Sequence, residues 1–180
     1  KCGGGQGCVE GVCCLLPAAT GATQGLQEAI DAAQAGDTIR LCAGTWNLTS
    51  TLVIGKNLTL IGAGDDETFL DGGGAVRVLQ IAAGVTGNLQ DLTITRGYEY
   101  RSGGGISNLG TLSLRGVSVT ANTTGEYGSG GGISNEGTLT LQSGSRVSYN
   151  TAAGGGGIEN GSAGSSASAY LTLESGSTVT

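Results

Sequence analysis

Gly103-Gly-Gly-Ile-Ser-Asn108, Gly130-Gly-Gly-Ile-Ser-Asn135 and Gly155-Gly-Gly-Ile-Glu-Asn160 are three copies of one six-residue phrase in the second half of the chain. Each copy is followed by alternating apolar and polar residues: Thr111-Leu-Ser-Leu114 then Val117-Ser-Val-Thr120, Thr138-Leu-Thr-Leu141 then Val147-Ser148, and Leu171-Thr-Leu173 then Thr178-Val-Thr180. The isoleucine recurs at Ile106, Ile133 and Ile158, in steps of 27 and 25 residues. A unit of this length in tandem is the mark of a solenoid.

Alternation by twos is the period of a strand lying on a buried surface; an amphipathic helix repeats near 3.6. Ile106, Leu112, Leu114, Val117 and Val119 are therefore expected to face the core of one coil, with Ser113, Arg115, Ser118 and Thr120 facing solvent. A lone coil cannot bury its own apolar face. Coils stacked about 4.8 Å apart form parallel sheets around a continuous core, where each Leu, Ile or Val contributes on the order of 1.5–3 kcal/mol. The expected fold is all-β, a right-handed parallel β-helix (solenoid) of about five coils, its hand following from the right-handedness of parallel crossovers.

The first half obeys the same plan with weaker punctuation. Thr38 to Leu41, Leu52 to Ile54 and Leu58 to Ile61 read as one coil, and Phe69 to Asp71, Val76 to Ile81 and Leu89 to Ile94 as the next. Ahead of them Leu26, Ala29, Ile30 and Ala33 share one helical face, with Thr23 as N-cap and Gly36 just past the end. A capping α-helix here would cover the open first coil, whose strand edges otherwise invite aggregation. At the other end Thr180 falls inside a strand, so the open coil edge is expected to pair with a further part of the same chain or with another copy.

All five cysteines, Cys2, Cys8, Cys13, Cys14 and Cys42, lie in the first 42 residues. Four of them crowd a Gly-rich stretch with too little apolar side chain to order itself, so residues 1–22 form a disulfide-stapled segment ahead of a β-helix over 23–180. Zinc is disfavoured by the lack of a Cys-x-x-Cys pair and of any His. Cys42, on the first coil, is the natural tie between segment and solenoid, and the odd count leaves one thiol over. Glycine supplies 37 of 180 residues and aromatics only 4%, as suits a narrow core. A net charge of −6 with eight scattered Lys and Arg argues against nucleic acid and anionic membranes, and no apolar run approaches the roughly 18 residues of a membrane span.

The Gly-Gly-Gly-Ile phrase, the endings Val119-Thr-Ala-Asn122 and Val147-Ser-Tyr-Asn150, and the opening Leu26-Gln-Glu-Ala-Ile30 with Gly36-Asp-Thr-Ile39 resemble right-handed parallel β-helix repeat proteins of the pectate-lyase-like superfamily. More narrowly they are similar to large bacterial surface proteins and, distantly, to polymorphic outer membrane proteins, which carry Phe where Val119 and Val147 stand. The resemblance implies the fold and an extracellular or bacterial cell-surface location. It selects no activity, because the fold hosts lyases, hydrolases, adhesins and inert stalks.

Enzymes of that superfamily use Asp sets with a His-containing motif, or Ca²⁺ held on clustered Asp with Arg or Lys as base. This chain has no His, and its one acidic run, Asp65-Asp66-Glu67, follows Gly62-Ala-Gly64 as a turn; Asp71 and Asp91 also read as turn residues. No catalytic residue, metal or cofactor is expected. The glycine triplets are not phosphate cradles, since Ile and Asn follow them where a cradle needs Lys and a helix N-terminus. They mark sharp turns and close approach of coils, while Asn108, Asn135 and Asn160, and likewise Asn122 and Asn150, are placed to stack as amide ladders. Asn47, Asn57, Asn122 and Asn160 each open an Asn-x-Ser/Thr sequence.

Two features remain for recognition. Tyr98-Glu99-Tyr100-Arg101 and Glu126-Tyr127 precede successive glycine triplets and stack on one side if the repeats are in register. Tyrosine beside acidic and basic groups suits sugar rings, although rings also serve to shield a coil corner. The outward row Ser113, Thr140 and Thr172, with Arg115 and Glu174 beside it, reads as ordinary strand surface. The expected function is a secreted or cell-surface structural or adhesive module without catalysis. The alternatives are a carbohydrate-binding or carbohydrate-active module, with polysaccharide as partner, and a subunit of a self-assembling extracellular filament.

Overall fold

The computed structural model describes residues 6–9, 12–16, 22–161 and 168–180. In chain order the elements are β1 (Gln6–Val9), β2 (Val12–Leu15), α1 (Ala22–Ala32), β3 (Thr38–Arg40), β4 (Gly44–Asn47), β5 (Leu52–Ile54), β6 (Leu58–Ile61), β7 (Thr68–Asp71) and β8 (Leu79–Ile81). There follow β9 (Thr86–Thr95), β10 (Tyr98–Glu99), β11 (Ile106–Asn108), β12 (Thr111–Thr120), β13 (Thr123–Thr124), β14 (Ile133–Asn135), β15 (Thr138–Leu141), β16 (Arg146–Ser148), β17 (Ile158–Asn160), β18 (Tyr170–Leu173) and β19 (Thr178–Val179). Beyond the antiparallel β1–β2 hairpin, the strand pairings among these elements are parallel.

One sheet stacks β5, β8, β11, β14 and β17; a ten-stranded sheet runs through β3, β6, β9, β12, β15 and β18, with β4, β7, β16 and β19 paired alongside. The long strands bend at a left-handed residue, Asp91 (φ 52°) in β9 and Gly116 (φ 61°) in β12. The first half of β9 thereby pairs with β6 and its second half with β7. The repeat register is the one written in the sequence: Ile106, Ile133 and Ile158 stack, as do Leu112, Leu139 and Leu171. Ile106, Leu112, Leu114, Val117 and Val119 are fully buried, which is the alternation that places every second residue in the core.

Three expectations need correction. Five strands in one face are separated by four coil-to-coil steps, so the solenoid makes about four turns, one fewer than the repeats suggest. Leu58 to Ile61 does not close the first coil but opens the second, stacking on β3; the missing side of the first coil is β4, whose buried Trp46 points inward. Ser118 is not solvent-facing but buried, because the turn at 63–67 reaches over it: Arg146 donates from Nε to Ser118 Oγ (3.2 Å) and pairs with Asp65 (2.8 Å).

Helix α1 covers the first coil as its apolar face requires, with Leu26 and Ile30 fully buried. It begins at Ala22, so Thr23 lies within it and is not its N-cap, and Gly36 sits beyond its end in a following turn. The helix also treats the open edge chemically. Gln27 Oε1 accepts from the Val53 amide (2.8 Å) and its Nε2 donates to the Val53 carbonyl (3.1 Å), as a neighbouring strand would. Lys56 Nζ donates to the carbonyls of Asp31 (2.6 Å) and Ala33 (2.9 Å), closing the helix C-terminus where a cation is favoured.

A disulfide joins Cys14 of β2 to Cys42, and the Cys42 amide donates to the Leu15 carbonyl (2.9 Å), fixing the hairpin to the first coil. Cys13 is disulfide-bonded as well, and no described cysteine is a free thiol. Cys2 and the side chain of Cys8 lie outside the described residues. The Cys14–Cys42 bond accords with a non-cytoplasmic, oxidising compartment. No helix among the described residues is long and apolar enough to cross a membrane.

Candidate functional site

The solenoid's corners are fixed by glycine and asparagine. The first glycine of each triplet is left-handed, at φ 68° for Gly103 and 58° for Gly130 and Gly155, where other residues are strained. In the first two triplets the second lies against the next coil: a Cβ on Gly104 would stand 2.1 Å from the Thr123 carbonyl oxygen, and one on Gly131 2.4 Å from that of Thr151. Amide ladders run beside them. Asn108 Nδ2 donates to Asn135 Oδ1 (2.7 Å), Asn135 Nδ2 to Asn160 Oδ1 (2.6 Å), and Asn122 Nδ2 to Asn150 Oδ1 (3.0 Å). Asn122 is fully buried, so its Asn-x-Thr sequence is out of reach of a glycosylating enzyme once the chain is folded.

These corners place two loops of consecutive coils side by side. Tyr98 and Glu99 form β10 and pair in parallel with Thr123 and Thr124 of β13. The Gly125 amide then donates to the Glu99 carbonyl (3.1 Å) and the Ser129 amide to the Arg101 carbonyl (3.0 Å). Residues 98–101 and 123–129 thus make one ridge along the solenoid. Tyr98 and Glu99 are half-buried in it, whereas Arg101 and Glu126 are exposed. Tyr100 is 57% and Tyr127 84% exposed. The Tyr100 ring lies over Gly125 of the next coil, where a Cβ would come within 2.8 Å of Cδ2.

Arg77 is the member of this site that sequence reasoning missed. Its side chain is only 17% exposed, pairs with Glu99 (3.3 Å), and donates from Nε to the Gly103 carbonyl (2.9 Å) and from Nη2 to the Ser102 carbonyl (2.8 Å). Burial pulls its pKa below the ordinary arginine value, with Glu99 opposing. Nothing in the stretch Ala75-Val76-Arg77 marks this role, because both bonded carbonyls belong to the following coil, 25 and 26 residues on. Thr124 Oγ1, at the base of the ridge, is buried without a partner.

The acidic candidates are dispersed. Asp65 is tied to Arg146, and its carbonyl accepts from Thr93 Oγ1. Asp71 is buried and held by Arg96 Nε (2.8 Å) and Nη2 (2.5 Å), which raises the Arg96 pKa, chiefly by hydrogen bonding. Among the described residues no three His, Cys, Asp or Glu are grouped to hold a metal ion. The row Ser113, Thr140, Thr172 is in register and extends back through Asn88 and Thr59 to Thr38. A cavity of about 270 Å³ beside the disulfide, lined by Cys14, Arg40, Cys42 and Glu67 among others, shares no residue with the ridge. No protein-family model, no curated protein and no solved structure matches this chain.

Proposed function

We propose that the chain is a secreted or cell-surface β-solenoid module with a structural and adhesive role, presenting the ridge at 98–101 and 123–129 to its partner. The observation that carries this reading is the exposure of Tyr100 and Tyr127 on backbone locked by coil-to-coil bonds. Rigid, amphipathic rings held out in solvent are typical of recognition surfaces. The resemblance to bacterial surface proteins of the pectate-lyase-like superfamily supports the same reading. A fluorescently tagged chain should be retained on bacterial envelope or matrix material, and the Tyr100→Ala, Tyr127→Ala double variant should lose that retention. Equal retention of the two proteins, or turnover of pectin or alginate that vanishes in Asp65→Asn, would count against it.

A second reading concerns the last coil. Strands β17, β18 and β19 pair on one side only among the described elements, and Leu173 (52%) and Val179 (39%) are exposed where their register mates Leu141 and Val147 are buried. Such an edge accepts a further coil or another copy. With α1 covering the opposite end, two copies joined through this edge would meet edge to edge. Light scattering on the 180-residue chain is then expected to show a dimer that Leu173→Lys dissociates; a monomer at every concentration would refute this.

A further inference from the structure

We infer that the ligand of the ridge is an uncharged polysaccharide, laid along the solenoid axis over Tyr100 and Tyr127. This rests on the adhesive reading above and names its partner class. The rings belong to consecutive coils, Tyr100 reaching over Gly125 and Tyr127 standing in the turn that Gly125 opens. A chain of sugar rings, each with an apolar face, can therefore stack on successive platforms as it follows the stack of coils.

Charge selects among glycans. The ridge loops and their clamp set Arg77 and Arg101 against Glu99 and Glu126, Arg77 is already spent on Glu99, and a further carboxylate, Glu159 of the next coil, is held by Ser129 (2.9 Å) and Ser134 (3.2 Å). A polyuronate would find one available guanidinium on a chain of net charge −6, and a polyamine glycan would find one available carboxylate. Neutral hydroxyls, by contrast, can use both, since Arg101 donates and Glu126 accepts.

Arg77 is the positioning residue. Its bonds to the Ser102 and Gly103 carbonyls and to Glu99 hold the loop that carries Tyr100 and Arg101, so the site is rigid before ligand arrives. The matching test is affinity electrophoresis of the 180-residue chain through gels containing neutral glucan, xylan or mannan, a polyuronate, or chitosan. Retardation is expected in at least one neutral gel, weakened about tenfold or more by Tyr100→Ala and by Tyr127→Ala, as for aromatic anchors generally. Arg77→Lys should weaken it too, with Tyr100→Ala and Tyr127→Ala, whose melting temperatures should match the parent's because both rings are exposed, as the reference for binding lost on an intact fold. Variant-sensitive retardation by the polyuronate or chitosan alone would overturn the neutral class but keep the ridge as a glycan site. No retardation in any gel, with ridge-dependent retention on envelope material intact, would replace polysaccharide with a protein partner. Loss of both would sink the adhesive reading as well.

Discussion

Replacing Leu139 by Asp is expected to abolish cooperative folding of the coils around it. Leu139 is fully buried between Leu112 of the preceding coil and Leu171 of the next. The substitution forfeits about 2–5 kcal/mol of packing and adds several more for a buried, unpaired carboxylate, against a total stability of roughly 5–15 kcal/mol. Circular dichroism at room temperature should show lost strand signal. The neighbouring Thr140→Asp supplies the control, because Thr140 points outward and its change should stay within about 0.5 kcal/mol of the parent. Reversal of the two results would mean that the strand is shifted by one residue, which exchanges the faces.

The second large effect lies in the ladder. Asn122 donates from Nδ2 to the carbonyls of Ile94 (3.1 Å) and Thr120 (3.0 Å) and to Asn150 Oδ1, and its Oδ1 accepts from the Gly97 amide (2.8 Å). Alanine there takes the side-chain partner from the Gly97 amide and from the Ile94 and Thr120 carbonyls, while Asn150 Oδ1 keeps the backbone amide of residue 122 (2.9 Å), and each unsatisfied buried group costs about 1–3 kcal/mol. A loss of about 3 kcal/mol, read as a lower urea midpoint at unchanged slope, is expected for Asn122→Ala. Aspartate should do worse, since it turns the donor facing Asn150 Oδ1 into an acceptor. A change below about 0.5 kcal/mol would show that water takes over these bonds.

The second half of the solenoid was legible because its register is carried by local chemistry. Glycine at a left-handed corner, Ile in the core and Asn in the ladder recur at Gly103, Ile106 and Asn108 and again at Gly130, Ile133 and Asn135, so spacing alone aligns the coils. The first half was read less well. β4 is Gly44-Thr-Trp-Asn47, too short and too polar to announce a strand, and it is ordered by pairing with β7 and by burying Trp46. Missing it misassigned Leu58 to Ile61 to the wrong coil.

The ridge divides the same way. Tyr98-Glu99-Tyr100-Arg101 and Glu126-Tyr127 stand out in a chain with 4% aromatic residues, and their stacking follows from the repeat. Exposure does not: Tyr98 is half-buried while Tyr127 is nearly free, a difference set by how the turn at Gly125 folds. The burial of Ser118 beneath the Asp65–Arg146 pair and the clamp that Arg77 places on Ser102, Gly103 and Glu99 join residues at least 22 positions apart in the chain, through side chains whose reach no local pattern encodes. The sequence by itself determined the coil, its inward residues and its ladders, because a repeated backbone conformation needs only repeated local preferences. Tertiary structure alone decided the first coil's third side, the cover over Ser118 and the rigid setting of the ridge, because each depends on side chains from different coils meeting in space.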